Sequence, residues 1–183
     1  MQGSLKQRQG GFTFVEMVLA LAVGTLLLVV AYQFLLASQQ FYRIGGDKVE
    51  YAQNGRVAMD KMVRELRQAE VVVTTFPSQE IEFKDGHTPG TKRYIRYFLQ
   101  NRNILREEIM YYFSSEPDVA VLHSDRDGSN NPPLKRVLGN AEKVAEFGSN
   151  LHFEQSGILI RISYTIGEGS QAIPFVSEVA KRN

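Results

Sequence analysis

One carboxylate, Glu16, lies near the start of a stretch that is otherwise almost entirely apolar. A charge at the centre of a membrane-spanning helix costs about 2.5–3.5 kcal/mol on insertion scales and less near its end, so such a carboxylate needs a partner. The chemistry open to Glu16 is ion pairing with a cation at the same depth. A simpler alternative is that the side chain reaches the polar headgroup region, because Glu16 lies close to the end of the stretch.

A second candidate for chemistry is the segment HSDRDGSNNPPLKR, which begins at His123. Its oxygen-bearing side chains, among them Asp125 and Asp127, partly match the ligands of a calcium loop. An EF-hand loop would need Gly where Asn130 stands and Glu where Arg136 stands. We therefore expect a polar surface loop, and we keep calcium binding at Asp125 and Asp127 as a minor hypothesis.

Composition excludes several other kinds of site. The chain has no cysteine, and its histidines, His87, His123 and His152, lie far apart, so we expect no metal site built from these residue types. Lys and Arg total 21 against 20 Asp and Glu, a net charge of +1, so no direct nucleic-acid binding is expected. No P-loop, Gly-x-Ser-x-Gly or His-Glu-x-x-His motif occurs, and we expect a protein that is not an enzyme and has no cofactor.

The element that carries Glu16 is an apolar run over residues 12–37, in which Gln33 is the other strongly polar side chain. About 20 helical residues cross the hydrocarbon core of a bilayer, so this run predicts a single membrane-spanning helix. It is longer than the apolar region of a secretory signal peptide. Lys6 and Arg8 precede the run, which predicts a cytoplasmic N-terminus with the rest of the chain on the other side of the inner membrane, periplasmic or extracellular.

The order Gly11, Phe12, Thr13, then two apolar residues and Glu16 resembles the cleavage and methylation signal of type IV pilins and pseudopilins. In that family a short basic leader ends in Gly, and the mature chain starts with an aromatic residue and has Glu at its fifth position. The combination of leader, Gly, spaced Glu and unbroken apolar run is specific. It covers the N-terminal fifth of the chain.

The resemblance implies a processing and assembly pathway. A prepilin peptidase would cut between Gly11 and Phe12, remove residues 1–11 as a leader and leave Phe12 to be N-methylated. Glu16 would then pair with the N-terminal amine of a neighbouring subunit, a group that is mostly cationic at neutral pH. The implied partners are the peptidase, other pilin or pseudopilin subunits, an assembly platform in the inner membrane and the cytoplasmic membrane itself.

Beyond the membrane span, residues 47–70 predict an amphipathic helix. Its apolar stripe is expected to contain Val57, Met59, Met62, Val63, Leu66 and Ala69, with the charged residues, Glu65 among them, mostly elsewhere. Gly45 and Gly46 interrupt the long helical pattern, at a cost of about 2 kcal/mol relative to alanine. They predict a kink or loosened turn, with an ordinary loop between two helices as the alternative.

After residue 73 the apolar period becomes two, which is typical of strands. The predicted strands are QEIEFKD, KRYIRYFLQ, NILREEIMYYF, NLHFEQ, ILIRISYTI and IPFVSEV, with a tight turn over residues 100–103 and a hairpin at Ser156 and Gly157. The fold class is therefore α+β: a long N-terminal helix, membrane-spanning in its first half, packed on a mainly antiparallel sheet. The expected segments are residues 1–11, 12–37, 38–73 and 74–183.

The outer segments, such as MDKMVRELRQAE and YIRYFLQNRNILREE, are most similar to the larger minor pilins and minor pseudopilins of the J and W types. This predicts a minor subunit in the tip or initiation complex of a type IV pilus or of a type II secretion pseudopilus. The alternative is a single-pass binding or adhesin-like module with a pilin-like N-terminus, to which the aromatic residues Tyr111, Tyr112 and Phe113 would contribute. Secretion, pilus and competence systems are not distinguished by the sequence.

Overall fold

A computed structural model of the chain describes residues 11–87 and 90–180, which form one long helix followed by eight strands. The helix precedes all the strands and the strands pair antiparallel, so the α+β prediction is confirmed. By internal packing the chain divides into two compact units, Met1–Gly46 and Asp47–Asn183. The division coincides with the glycine pair, while the expected segment boundaries at residues 37 and 73 stay predictions.

Helix α1 spans Phe14–Arg67. It is assigned as helix through Gly45 and Gly46, so no loop separates two helices there, and the bend stays a prediction. Past Arg67 the backbone makes two bonds of three-residue spacing, and the N–H of Glu70 then donates to the carbonyl of Lys84 at 3.2 Å. Pairing with a strand replaces the next helical hydrogen bonds, which is why the helix ends here.

The outer part of α1 buries one stripe, and most of the predicted stripe is confirmed. Met59, Met62, Leu66 and Ala69 are buried, and Val63 is half-buried. The prediction that Val57 belongs to this stripe is wrong, because its side chain is 63% exposed. Each helical residue turns by about 100°, and the buried stripe passes through the residue after Val57.

The structure also corrects the predicted position of Glu65 on this helix. We expected it on the solvated face, but it is buried, with a relative exposure of 9%. It lies three residues after Met62 and directly before Leu66, within the stripe that packs on the strands. A carboxylate at such a position requires charged or hydrogen-bonding partners from the sheet.

The first sheet has five strands. These are β1 (Ile81–Lys84), β2 (Arg93–Gln100), β3 (Asn103–Phe113), β4 (Glu116–Val121) and β5 (Leu134–Ala145). β1 pairs with β2, β2 with β3, and both β4 and β5 pair with β3. Asn101 and Arg102 both have positive φ, 50° and 62°, as a two-residue type I′ hairpin requires, so the predicted turn over residues 100–103 is confirmed.

The second sheet has three strands in the order of the chain. These are β6 (Gly148–Ser156), β7 (Leu159–Ile166) and β8 (Ile173–Ala180). Ser156 pairs with Leu159, so the two turn residues are Gly157 and Ile158, one position later than predicted. Gly157 has a φ of 61°, which fits a turn whose first residue must be left-handed.

Two strands, β4 and β5, were not predicted. β5 is exposed on both faces over most of its length, so its residues show no apolar alternation. It also contains a bulge, since Arg106 pairs with Glu142 and Glu108 pairs with Leu138, which leaves residues 139–141 opposite Glu107 alone. Without a buried face there is no period-two signal for a sequence to show.

The core lies between the outer part of α1 and the two sheets. Its largest fully buried side chains are Tyr97, Phe83, Phe153, Met62, Leu66, Ile81, Ile104, Leu151, Ile160, Ile162 and Ile166, while Ile109 is buried in a second core cluster with Tyr94 and Tyr111. The second sheet is held on the helix by Tyr164, whose hydroxyl donates to the carbonyl of Gly55 at 2.7 Å. The ring of Phe175 occupies the space that a side chain at Gly55 would need, so strand and helix approach closely there.

Candidate functional site

The first turn of α1 is closed by a reciprocal pair of side chains. The backbone N–H of Thr13 donates to Oε2 of Glu16 at 2.9 Å, and the hydroxyl of Thr13 donates to the same oxygen at 3.0 Å. The hydroxyl oxygen of Thr13 accepts the backbone N–H of Glu16 at 3.3 Å. Thr13 immediately precedes the helix, so this is a capping box that satisfies donors left free by the first turn.

The capping role of Glu16 differs from both predicted roles, a charged partner in the membrane and contact with the headgroup region, because the partner is the start of the same helix. The signal was present, because Thr followed three residues later by Glu, ahead of an apolar run, is the capping-box signature. The position of the carboxylate therefore has a local structural reason in addition to any role in binding.

The cap leaves half of the carboxylate available. Both donors from Thr13 reach Oε2, and no donor reaches Oε1 within the part of the chain that the structure describes. The side chain of Glu16 is exposed. Oε2 can thus cap the helix while Oε1 forms an ion pair with a cationic group of a second molecule.

The residues at the expected cleavage site lie in non-helical backbone directly before the cap. Gly11 and Phe12 are exposed, Phe12 to 84%, and a Cβ built at Gly11 would meet no atom of residues 11–87 and 90–180 within 4 Å. Lys6, Arg8 and Gly10 lie outside the described residues. Cleavage after Gly11 and methylation of Phe12 stay predictions.

The first half of α1 exposes an unusually large apolar surface. Leu19, Leu27 and Phe34 have relative exposures of 66%, 62% and 76%. Soluble monomers rarely expose contiguous apolar patches of more than a few hundred Å². Among the described residues this is the one helix that is long and apolar enough to cross a membrane, and none of its most apolar window is buried. Such a surface needs lipid or the helices of neighbouring molecules to cover it.

The family comparison matches the same stretch. The family model described as the prokaryotic N-terminal methylation motif matches residues 6–32, which include Gly11, Phe12, Thr13 and Glu16. The chain carries the signal of type IV pilins and pseudopilins. Proteins with this pilin signal are structural subunits, and a membrane-anchored pilin or pseudopilin agrees with the exposed apolar helix. Neither the search of curated proteins nor that of solved structures found a match.

The calcium candidates lie in a turn that is hydrogen-bonded internally. The carboxylate of Asp127 accepts the backbone N–H groups of Ser129 at 2.9 Å and Asn131 at 2.8 Å, and the Asn131 amide at 3.0 Å. Oδ2 of Asp125 accepts the N–H of Leu122 at 2.8 Å. Within residues 11–87 and 90–180, no group of three or more His, Cys, Asp or Glu side chains could hold a metal ion. Calcium binding at Asp125 and Asp127 stays an untested hypothesis.

The second compact unit, Asp47–Asn183, here called the β-rich unit, contains buried charged groups that were not predicted from the sequence. Glu65 accepts the Tyr97 hydroxyl at 2.7 Å and both of its oxygens lie 3.1 Å from Nε of Arg106. Burial and the neighbouring Glu65 carboxylate raise the pKa of Tyr97 well above its ordinary value. These partners come from β2 and β3, far from Glu65 in sequence, so only the folded chain could show the cluster.

A second buried carboxylate, Glu82, is held in the same way. It accepts the hydroxyl of Tyr111 and pairs with Nζ of Lys135 at 2.6 Å. Burial and this hydrogen bond raise the pKa of Tyr111. Tyr111 also packs edge-on against His123 and Tyr94. It is therefore part of the core, while Tyr112 and Phe113 are half-buried.

Proposed function

We propose that this chain is a minor pilin or minor pseudopilin: a structural subunit, not an enzyme, that joins the tip or initiation complex of a type IV pilus or type II secretion pseudopilus. The observation that carries the proposal is the match of residues 6–32 to the methylation motif on a helix whose apolar surface is uncovered. Before assembly, the membrane covers this surface; in a filament, the helices of other subunits do.

Processing supplies a cationic partner for Glu16. Cutting after Gly11 by a prepilin peptidase creates an α-amino group on Phe12 with an ordinary pKa of about 7.7–8.0. The amine of a neighbouring subunit then lies at the same depth as Glu16, whose Oε1 has no donor among the described residues. Pairing the two removes the cost of an isolated carboxylate in an apolar surrounding.

Packing in the filament core requires close approach between helices. Ala20, Ala22 and Gly24 are small residues on the apolar segment, and a Cβ at Gly24 would meet no atom of the described residues within 4 Å. The N-terminus lies in the cytoplasm and the β-rich unit is periplasmic or extracellular, as the basic residues before the span favour. An inner-membrane platform receives the subunit for assembly.

The test separates the charge of Glu16 from its capping role. Glu16→Ala removes both, Glu16→Gln keeps an acceptor for the cap and removes the charge, and Thr13→Ala weakens the cap and keeps the charge. We expect both Glu16 variants to be membrane-inserted and cleaved but depleted from sheared filaments, and Thr13→Ala to be incorporated. Co-purification with other minor subunits provides the second readout.

Two outcomes would contradict the proposal. Normal incorporation of Glu16→Ala would show that pairing with a neighbouring amine is not needed. A wild-type chain that is absent from sheared filaments and from complexes with sibling subunits would favour an anchored binding or adhesin-like module instead.

Gly11→Ala tests processing separately, since poor cleavage would retain the mass of eleven residues in the membrane-bound chain.

A further inference from the structure

A cleft of about 590 Å³ is lined by residues of both sheets, and backbone hydrogen bonds of β6 lie on either side of the β6 residues that line it. At one end the N–H of Gly148 donates to the carbonyl of Arg102 at 2.8 Å. At the other end Ser78 and Phe153 exchange two hydrogen bonds of 3.0 and 2.8 Å. Between these points, residues 149–152 of β6 make no backbone hydrogen bond to the first sheet within the described chain, so a short length of strand edge is open there.

The open edge contains a bulge. The pairing of β6 with β7 shifts register between Ser149 and His152, and Asn150 has a left-handed φ of 54°. Asn tolerates this conformation better than most residues, yet it is uncommon inside a strand. Bulges redirect side chains and occur often beside binding sites. Here the bulged residue lines the cleft.

The lining combines amide side chains with apolar ones. Gln79, Gln100 and Asn150 each offer a carbonyl acceptor and two N–H donors. Leu99 and Leu151 contribute apolar surface beside them. A ligand that presents both N–H and C=O groups at short intervals, as a peptide backbone does, matches this set.

Among the described residues, Arg96 and Glu80 are the charged side chains that line the cleft. Arg96 donates to Glu80 and, at 2.9 Å, to Glu107, so one guanidinium lies between two carboxylates. The same guanidinium lies 4.6 Å from the ring centre of Phe98. Both bonds to Glu80 end on Oε2, and its side chain is 45% exposed, so Oε1 is open to a further donor within the described structure. A cationic side chain is the natural complement.

We propose that this cleft binds an extended peptide segment of a partner protein, with a lysine or arginine side chain placed on Glu80. The peptide backbone adds to the open edge of β6 and bonds the amides of Gln100 and Asn150. Strand edges bind extended peptides through main-chain hydrogen bonds, while side-chain contacts supply specificity. The inference goes beyond the proposed subunit role, because it needs neither cleavage nor filament assembly.

The test uses the full chain in detergent micelles, fluorescently labelled and applied to an array of random hexapeptides. We expect the bound peptides to be enriched in Lys and Arg. Glu80→Gln should weaken their binding about tenfold, as loss of a charge-assisted hydrogen bond would. Asn150→Gly keeps the left-handed backbone, removes the amide and should also weaken binding. Glu116→Gln makes the same charge change on exposed β4, outside the cleft, and should bind as the wild type does.

Three results would overturn the proposal. One is that no peptide on the array binds, and another is that binding peptides show no preference for Lys or Arg. The third is that Glu80→Gln and Asn150→Gly bind unchanged while their melting temperatures match the wild type. A parallel oligosaccharide array tests the alternative that the cleft binds a carbohydrate. Binding to oligosaccharides without binding to peptides would assign the cleft to a carbohydrate.

Discussion

Removing the buried carboxylate of Glu65 should destabilise the β-rich unit strongly. Glu65→Ala takes the acceptor from the Tyr97 hydroxyl and the counter-ion from Arg106, whose side chain is 14% exposed. Breaking a buried ion pair by removing one partner costs about 3–5 kcal/mol. Arg106 keeps Glu108 at 3.2 Å and Glu142 at 3.8 Å, so we expect the lower end of the range, a loss of about 3 kcal/mol in the free energy of unfolding.

A double-mutant cycle separates the hydrogen bond from the ion pair. Tyr97→Phe alone should cost about 1.5 kcal/mol, because it removes a donor to a charged acceptor. The double variant should cost less than the sum of the two, with a coupling of about 1 kcal/mol. Urea unfolding of the full chain in micelles, followed by near-ultraviolet tyrosine dichroism, measures these differences.

The matched control is Glu50→Ala, which removes an exposed glutamate from the same helix. It should change the free energy of unfolding by no more than about 0.5 kcal/mol. If Glu65→Ala also stays within about 1 kcal/mol of the wild type, or if the coupling to Tyr97 is absent, the buried cluster does not stabilise the unit.

Three further predictions concern the same unit. Gly55→Ala would place a Cβ 2.0 Å from Cζ of Phe175, so we expect a net loss of about 1–2 kcal/mol by urea unfolding despite the better helix propensity; in a Phe175→Ala background the substitution should no longer be harmful. The raised pKa values of Tyr97 and Tyr111 predict stability that is complete below about pH 10, the ordinary tyrosine pKa, and is lost at higher pH. Tyrosinate absorbance from Tyr97 and Tyr111 should therefore appear only together with loss of tyrosine dichroism. Ionisation of either residue at a lower pH than unfolding would refute this prediction. Calcium should leave the melting temperature unchanged, because the carboxylate of Asp127 already accepts backbone N–H groups within its own turn. A rise in melting temperature that Asp127→Asn abolishes would contradict this prediction.

The amino-acid sequence alone was sufficient for features whose cause is local. The signal at Gly11, Phe12 and Glu16 is a matter of order and spacing, and the family model matches it. Strand β3 occupies the predicted residues 103–113, since alternation of apolar and polar side chains reports one buried face. The capping box of Thr13 and Glu16 was equally local and could have been predicted.

Tertiary structure decided the features that depend on residues distant in the chain. The sequence predicts Glu65 as a surface residue of a helix. Its burial is compensated by hydrogen bonds from Tyr97 and Arg106, which lie on two strands distant in the chain. Strand β5 is exposed on both faces over most of its length, so its existence depends on hydrogen bonds to β3 rather than on a pattern of its own. The cleft beside Asn150 lies between two backbone contacts of β6, one with Arg102 and one with Ser78, and no local pattern encodes contacts between residues so distant in the chain. Spacing along a chain reports what one element does by itself, whereas burial and charge pairing depend on which elements meet.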